Sequence, residues 1–143
     1  MKQIIAGLLA VGFLAGCATS PTLVQKLANR SVTYENTERI VLTGSEGGYG
    51  SAVKVNITEE FLIQDIWDRI HQSRPYNVWY ASGYKELAFY TRGQENKPSL
   101  TLLVNESEAC HIEGATERFR CPGINAVLHK LLEHEYQKMT KEK

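Results

Sequence analysis

An α+β fold is expected, with an antiparallel sheet of five to seven strands and two amphipathic helices on one face. Three patterns point to it. Residues 51–57 alternate, with Val53, Val55 and Ile57 on one side and Lys54 and Asn56 on the other, the period of a half-buried strand. Ile63, Ile66, Trp67 and Ile70 recur at helical spacing. Strand-like runs in hairpins, with one helix between them and one at the end, indicate α+β.

Element by element, Ser20-Pro21 ahead of Leu23, Val24 and Leu27 reads as an N-cap, a proline at the first helical position and a short apolar stripe. Residues 39–43 are strand-like, and residues 44–50, rich in glycine, join them to the 51–57 strand as a hairpin loop. Thr58 is placed as an N-cap, with Glu59 and Glu60 in a first turn where the helix dipole favours negative charge. Arg74-Pro75 ends that helix. Two strand-like runs flank the Ser82-Gly83 turn, and residues 99–104 form the next strand. Pro122 opens the last helix, whose buried stripe is expected at Ile124, Val127, Leu128 and Leu131.

Charge excludes some functions. The 143 residues carry 16 Lys plus Arg against 16 Asp plus Glu, so the basic excess of a nucleic-acid binder is missing. A length of this order suits one domain.

The N-terminus is different in kind. Met1-Lys2-Gln3 precedes twelve residues, Ile4 to Ala15, without a charge. A membrane-crossing helix needs about 20 apolar residues, and this run has the length of a signal-peptide apolar region. It ends in Leu14-Ala15-Gly16-Cys17, which resembles the lipobox of bacterial lipoproteins. The resemblance covers residues 1 to about 20. It implies cleavage before Cys17, a diacylglyceryl group on the Cys17 sulfur and a third acyl chain on the new amino terminus. In Gram-negative members an Asp after the cysteine tends to retain the protein in the inner membrane. Here Ala18 follows, which implies an outer-membrane anchor, or a cell-membrane anchor in a Gram-positive organism. Two lipid signals already give stable attachment, so three chains would make release negligible. The expected organisation is a signal peptide over 1–16, a lipidated tether or short helix over 17–30, one globular domain over 31–138 and a charged tail over 139–143.

With Cys17 acylated, Cys110 and Cys121 remain, an even pair in an oxidising compartment. Placing them opposite each other sets His111 against Arg120, Ile112 against Phe119 and Glu113 against Arg118, around a Gly114-Ala115-Thr116-Glu117 loop. A disulfide-stapled hairpin is expected.

Six aromatics crowd residues 76–90, and Tyr76, Trp79, Tyr80, Tyr84 and Tyr90 are the candidate partner-binding surface, against the plainer reading of a half-buried sheet. Other motifs fail on spacing. The 44–50 loop lacks the Gly-Lys-Ser/Thr ending of a phosphate cradle, and residues 43–47 lack the first glycine of a nucleophile elbow. His129 and His134 are five apart, where a metalloprotease helix needs four, so no metal site and no cofactor is expected.

Two functions follow. The first is a non-enzymatic interaction or assembly module, held to the outer membrane through lipid on Cys17, facing the periplasm and binding an envelope protein. The second is a small-ligand-binding or hydrolytic protein acting on envelope components, with a pocket around His111, Arg120 and the 44–50 loop.

Overall fold

The computed structural model describes residues 20–44, 52–77 and 83–143. The elements are α1 (Leu23–Ala28), β1 (Thr37–Gly44), β2 (Val53–Ile57), α2 (Glu60–His71), β3 (Arg74–Pro75), β4 (Lys85–Thr91), β5 (Leu100–Val104), β6 (Ala109–Ile112), β7 (Phe119–Arg120) and α3 (Ile124–Lys141). Seven strands form one sheet in the order β2-β1-β4-β5-β6-β7-β3, with antiparallel pairings. The fold is α+β, as the patterning predicts.

Register decides what is buried. Ile40 of β1 lies between Ile57 and Phe89, and Leu42 between Val55 and Leu87. Leu100 and Leu102 of β5 continue the two rows from Phe89 and Leu87. These side chains share one face, because successive residues of a strand point to opposite sides. They join Leu23 and Leu27 of α1, Ile63, Ile66, Trp67 and Ile70 of α2, and Ile124, Leu128 and Leu132 of α3 in one core. All three helices therefore cover the same side. Trp67 is central: its ring meets Phe89 edge-on at a centroid distance of 5.7 Å, and its Nε1 donates to Thr37 Oγ1 at 3.2 Å.

Several boundaries differ from expectation for identifiable reasons. The cap of α1 is Thr22, not Ser20: Thr22 Oγ1 accepts from Gln25 N while Gln25 Oε1 accepts from Thr22 N, a reciprocal capping box. Leu23 and Leu27 are fully buried, so α1 belongs to the globular domain rather than to a tether over 17–30. Thr58 does not cap α2; Glu59 holds the N-cap position, without a side-chain cap bond. Helix α2 closes at His71, and Arg74-Pro75 is instead an edge strand paired with β7. Helix α3 continues to Lys141, into the expected tail, and its apolar buried stripe is Ile124, Leu128 and Leu132, the expected Val127 and Leu131 being only partly buried.

The β6–β7 hairpin is shifted by two residues from the expected pairing. Cys110 faces Phe119 and Ala109 faces Arg120. The reason is a tight turn: Ala115 N donates to Ile112 O at 2.9 Å, with Gly114 at φ 83°, so the Ile112 carbonyl is already taken. Cys121 N then reaches Glu108 O at 2.9 Å.

Truncating Leu27 to Ala is expected to lower unfolding stability by about 2–5 kcal/mol, the cost of a cavity in a closed core. Urea unfolding of the purified protein checks it; a loss near zero would mean that α1 is only a tether.

Candidate functional site

Among the described residues all three helices lie on one side of the sheet, so the other face is the first place to look for a surface. That face carries Arg39, Val41 and Thr43 of β1, Glu86, Ala88 and Tyr90 of β4, Thr101 and Leu103 of β5 and His111 of β6, as their register requires. Arg39 stacks its guanidinium over the Tyr90 ring at 3.7 Å from the centroid, and its Nη2 donates to Glu95 O at 3.0 Å. Tyr84, just before β4, meets the His111 ring edge-on at 5.2 Å. Burial, and then the positive charge of Arg118, hold the His111 imidazole below its ordinary value of 6.5. His111 is therefore neutral at pH 7, an amphipathic partner for Tyr84 rather than a cation.

The expected aromatic surface is thus divided. Tyr84, just ahead of β4, and Tyr90 near its end share the helix-free face but stand six residues apart, roughly 20 Å. Both are half-buried, held by His111 and Arg39 respectively. Tyr76 lies elsewhere, beyond β3, where its N–H donates to Arg118 O at 3.0 Å. Trp79 and Tyr80 lie outside the described residues, as does Cys17.

Tyr76 lines a cleft of about 660 Å³ between the start of α1, the end of β3 and the β6–β7 loop. A second cleft of about 380 Å³ adjoins it, sharing Lys26, Ala115, Thr116, Glu117 and Phe119. Lys26 and Glu117 form an ion pair across the shared wall. Neither cleft is lined by His111 or Arg120, so the pocket expected around those residues is not formed by them. The rest of that pocket, residues 45–50, lies outside the described residues.

Cys110 and Cys121 are both buried thiols on the core side. The hydrogen bond with Cys121, and then burial, push the Cys110 thiol far above its ordinary value. Glu108 organises this corner from an unusual left-handed backbone, φ 64°. Its carbonyl accepts from Cys121 N and from Cys110 Sγ at 3.5 Å, and its Oε2 accepts from Asn125 N at 3.3 Å.

Sequence reasoning missed a polar cluster nearby. Lys85 is a strand residue on the core side, 3% exposed, with its Nζ 2.9 Å from Glu106 Oε1. His129 Nε2 lies 3.6 Å from the other Glu106 oxygen. The hydrogen bond from Lys85 holds the Glu106 carboxyl below its ordinary value of 4.5. The only signal in the sequence was a lysine in phase with Leu87 and Phe89. Of the remaining α3 candidates, Glu133 accepts from Gln137 Nε2 at 3.3 Å and His134 is exposed. Among the described residues no group of three or more His, Cys, Asp or Glu is placed to hold a metal.

Comparison with known protein families, characterised proteins and solved structures finds no match for this chain.

Two outcomes are expected. The structure holds the expected staple as two adjacent thiols rather than a bond; non-reduced peptide mapping of the protein after oxidation should recover Cys110 linked to Cys121, with about 3 kcal/mol of added stability, and free thiols at both positions would refute the staple. Glu106→Gln should destabilise by about 1–3 kcal/mol, because it leaves the Lys85 ammonium buried without its anion. The folded carboxyl sits below its unfolded value, so its contribution is present above the unfolded value and lost as pH falls through the folded one. The stability gap between wild type and Glu106→Gln should therefore close on acidification, and calorimetry across that pH range measures it.

Proposed function

We propose that this chain is a lipid-anchored interaction module of the bacterial envelope, tethered through Cys17 to the outer membrane with its domain in the periplasm. The observation that carries the anchor is the Leu14-Ala15-Gly16-Cys17 motif at the end of a singly charged, then apolar leader. No helix among the described residues is long and apolar enough to cross a membrane. Attachment on this reading is by covalent lipid.

The surface offered to an envelope protein is the helix-free face of the sheet. Between the Arg39–Tyr90 and Tyr84–His111 pairs it presents Ala88, Thr101 and Leu103. Aromatic and Arg side chains around a small apolar centre are the composition favoured at interface hot spots. Both pairs are held in place before binding, which lowers the ordering cost of association. A rigid sheet face suits a partner surface or strand better than a small solute.

The adjoining clefts favour a second reading, small-ligand binding, because a concave space of 660 Å³ falls in the range of ligand sites.

Cys17→Ser is expected to yield an unprocessed, unacylated precursor, read by intact mass and acyl labelling; unchanged labelling would refute the anchor. A photo-cross-linker at Thr101 should capture an envelope protein in cells, and one at Gln64 on the exposed side of α2 should not. Tyr84→Ala should weaken the Thr101 adduct by about tenfold, the effect of losing one aromatic contact. Equal capture from both positions would remove the sheet face as the interface.

A further inference from the structure

We propose that the two adjoining clefts form a membrane-facing surface that rests on the anionic phospholipid headgroups of the leaflet holding the anchor. The proposal depends on acylation of Cys17.

The first observation is how little chain separates that anchor from the folded domain. Thr22 caps α1 and Leu23 is fully buried, so the fold begins at residue 22. Ser20 and Pro21 are already part of the wall of the larger cleft. From Cys17 to Ser20 the chain spans three residues, at most about 11 Å when fully extended. A tether this short keeps the cleft end within a headgroup layer's thickness of the acyl chains. It also restricts how far the domain can turn away.

The second observation is charge. The chain as a whole is neutral. The described residues lining the two clefts include three cations, Lys26, Arg30 and Arg118, and a single carboxylate, Glu117. Glu117 pairs with Lys26 and projects from the loop, with its side chain 57% exposed. The cleft lining thus carries more cations than carboxylates, and Arg30, exposed beside the loop that also carries Glu113, is its most accessible cation. Each cation near an anionic leaflet is attracted strongly enough to matter, and the attraction falls off within a Debye length.

The third observation is the aromatic at the rim. Tyr76 is half-buried beside Pro75 and Asn77, with an apolar ring in the cleft wall. Tyrosine favours the boundary between apolar and wet layers, because one end of it suits each. Phosphate oxygens of the headgroups would meet Arg30 first, beside the Lys26–Glu117 pair, and the Tyr76 ring would sit at the glycerol level. The opposite end of the sheet, at the β5–β6 turn that carries Glu106 and Ser107, faces away from the membrane. That arrangement leaves the helix-free sheet face edge-on to the membrane and open to a partner.

The test uses the full-length acylated protein reconstituted into vesicles, after intact mass has established the lipid on Cys17. Fluorophores are placed on Thr116→Cys, in the β6–β7 loop, or on Ser107→Cys, at the far turn, and headgroup-bound quenchers report their distance from the surface. Quenching should be stronger at Thr116 than at Ser107. The contrast should grow when phosphatidylglycerol is added to phosphatidylcholine. Arg30→Gln, an exposed substitution in the turn after α1, should shift the docked fraction by about fivefold toward the undocked state. Equal quenching at the two positions, or a contrast indifferent to phosphatidylglycerol, would overturn the surface while leaving the anchor standing. A chain without acyl mass would remove the anchor instead.

Discussion

The contact of Trp67 with Phe89 governs the architecture. It fixes α2 over the β1–β4 pairing. The indole nitrogen is satisfied there only because Thr37 Oγ1 lies 3.2 Å away at the start of β1. Burying a large ring costs little when its polar handle has a partner, and a great deal when it has none. That one placement sets the register in which Ile40, Leu42, Leu87 and Leu102 face the helices. A shift of one residue in β4 would send Lys85, Leu87 and Phe89 outward and bring Glu86 and Tyr90 into the core. The open face of the sheet is therefore a consequence of the closed one.

Two polar groups inside this core stand out against its apolar rule. Lys85 occupies an inward position at the end of β4 and is answered by Glu106 from the next turn. Asn125 at the start of α3 donates to the carbonyls of Asn105 and Glu106 at 3.0 and 3.1 Å. These bonds tie the β5–β6 turn to α3. Gly123 ahead of α3 adopts φ 78°, and a Cβ there would come within 2.8 Å of an Arg69 nitrogen. The path of the chain into α3 is thus held by close approach on one side and by hydrogen bonds on the other.

At the opposite end of the sheet the same economy of chain produces the clefts. Helix α1 is only six residues long, yet it is closed by a capping box and pinned by Leu23 and Leu27. So short a helix is marginal alone and depends on tertiary burial. Its packing against the core leaves a gap beside the β6–β7 loop, which closes early because of the turn at Ile112. The clefts therefore lie where the described chain begins, beside Ser20 and Pro21.

Much was legible from the residues alone. The period of two in 51–57 and the helical stripe at Ile63, Ile66, Trp67 and Ile70 determined the α+β class, because local periodicity reports which face is buried. The lipobox resemblance rests wholly on sequence, since residues 14–17 lie outside the described residues. Only the tertiary structure decided that α1 is core rather than tether, because burial of Leu23 and Leu27 depends on strands far along the chain. Only it placed Thr22 as the cap, moved the β6–β7 register by two residues and separated Tyr76 from Tyr84 and Tyr90. It also revealed Lys85, whose burial is tolerable only with Glu106 brought beside it. Local pattern carries the period of an element; which partner meets it, and at which residue, is settled by contacts between distant segments.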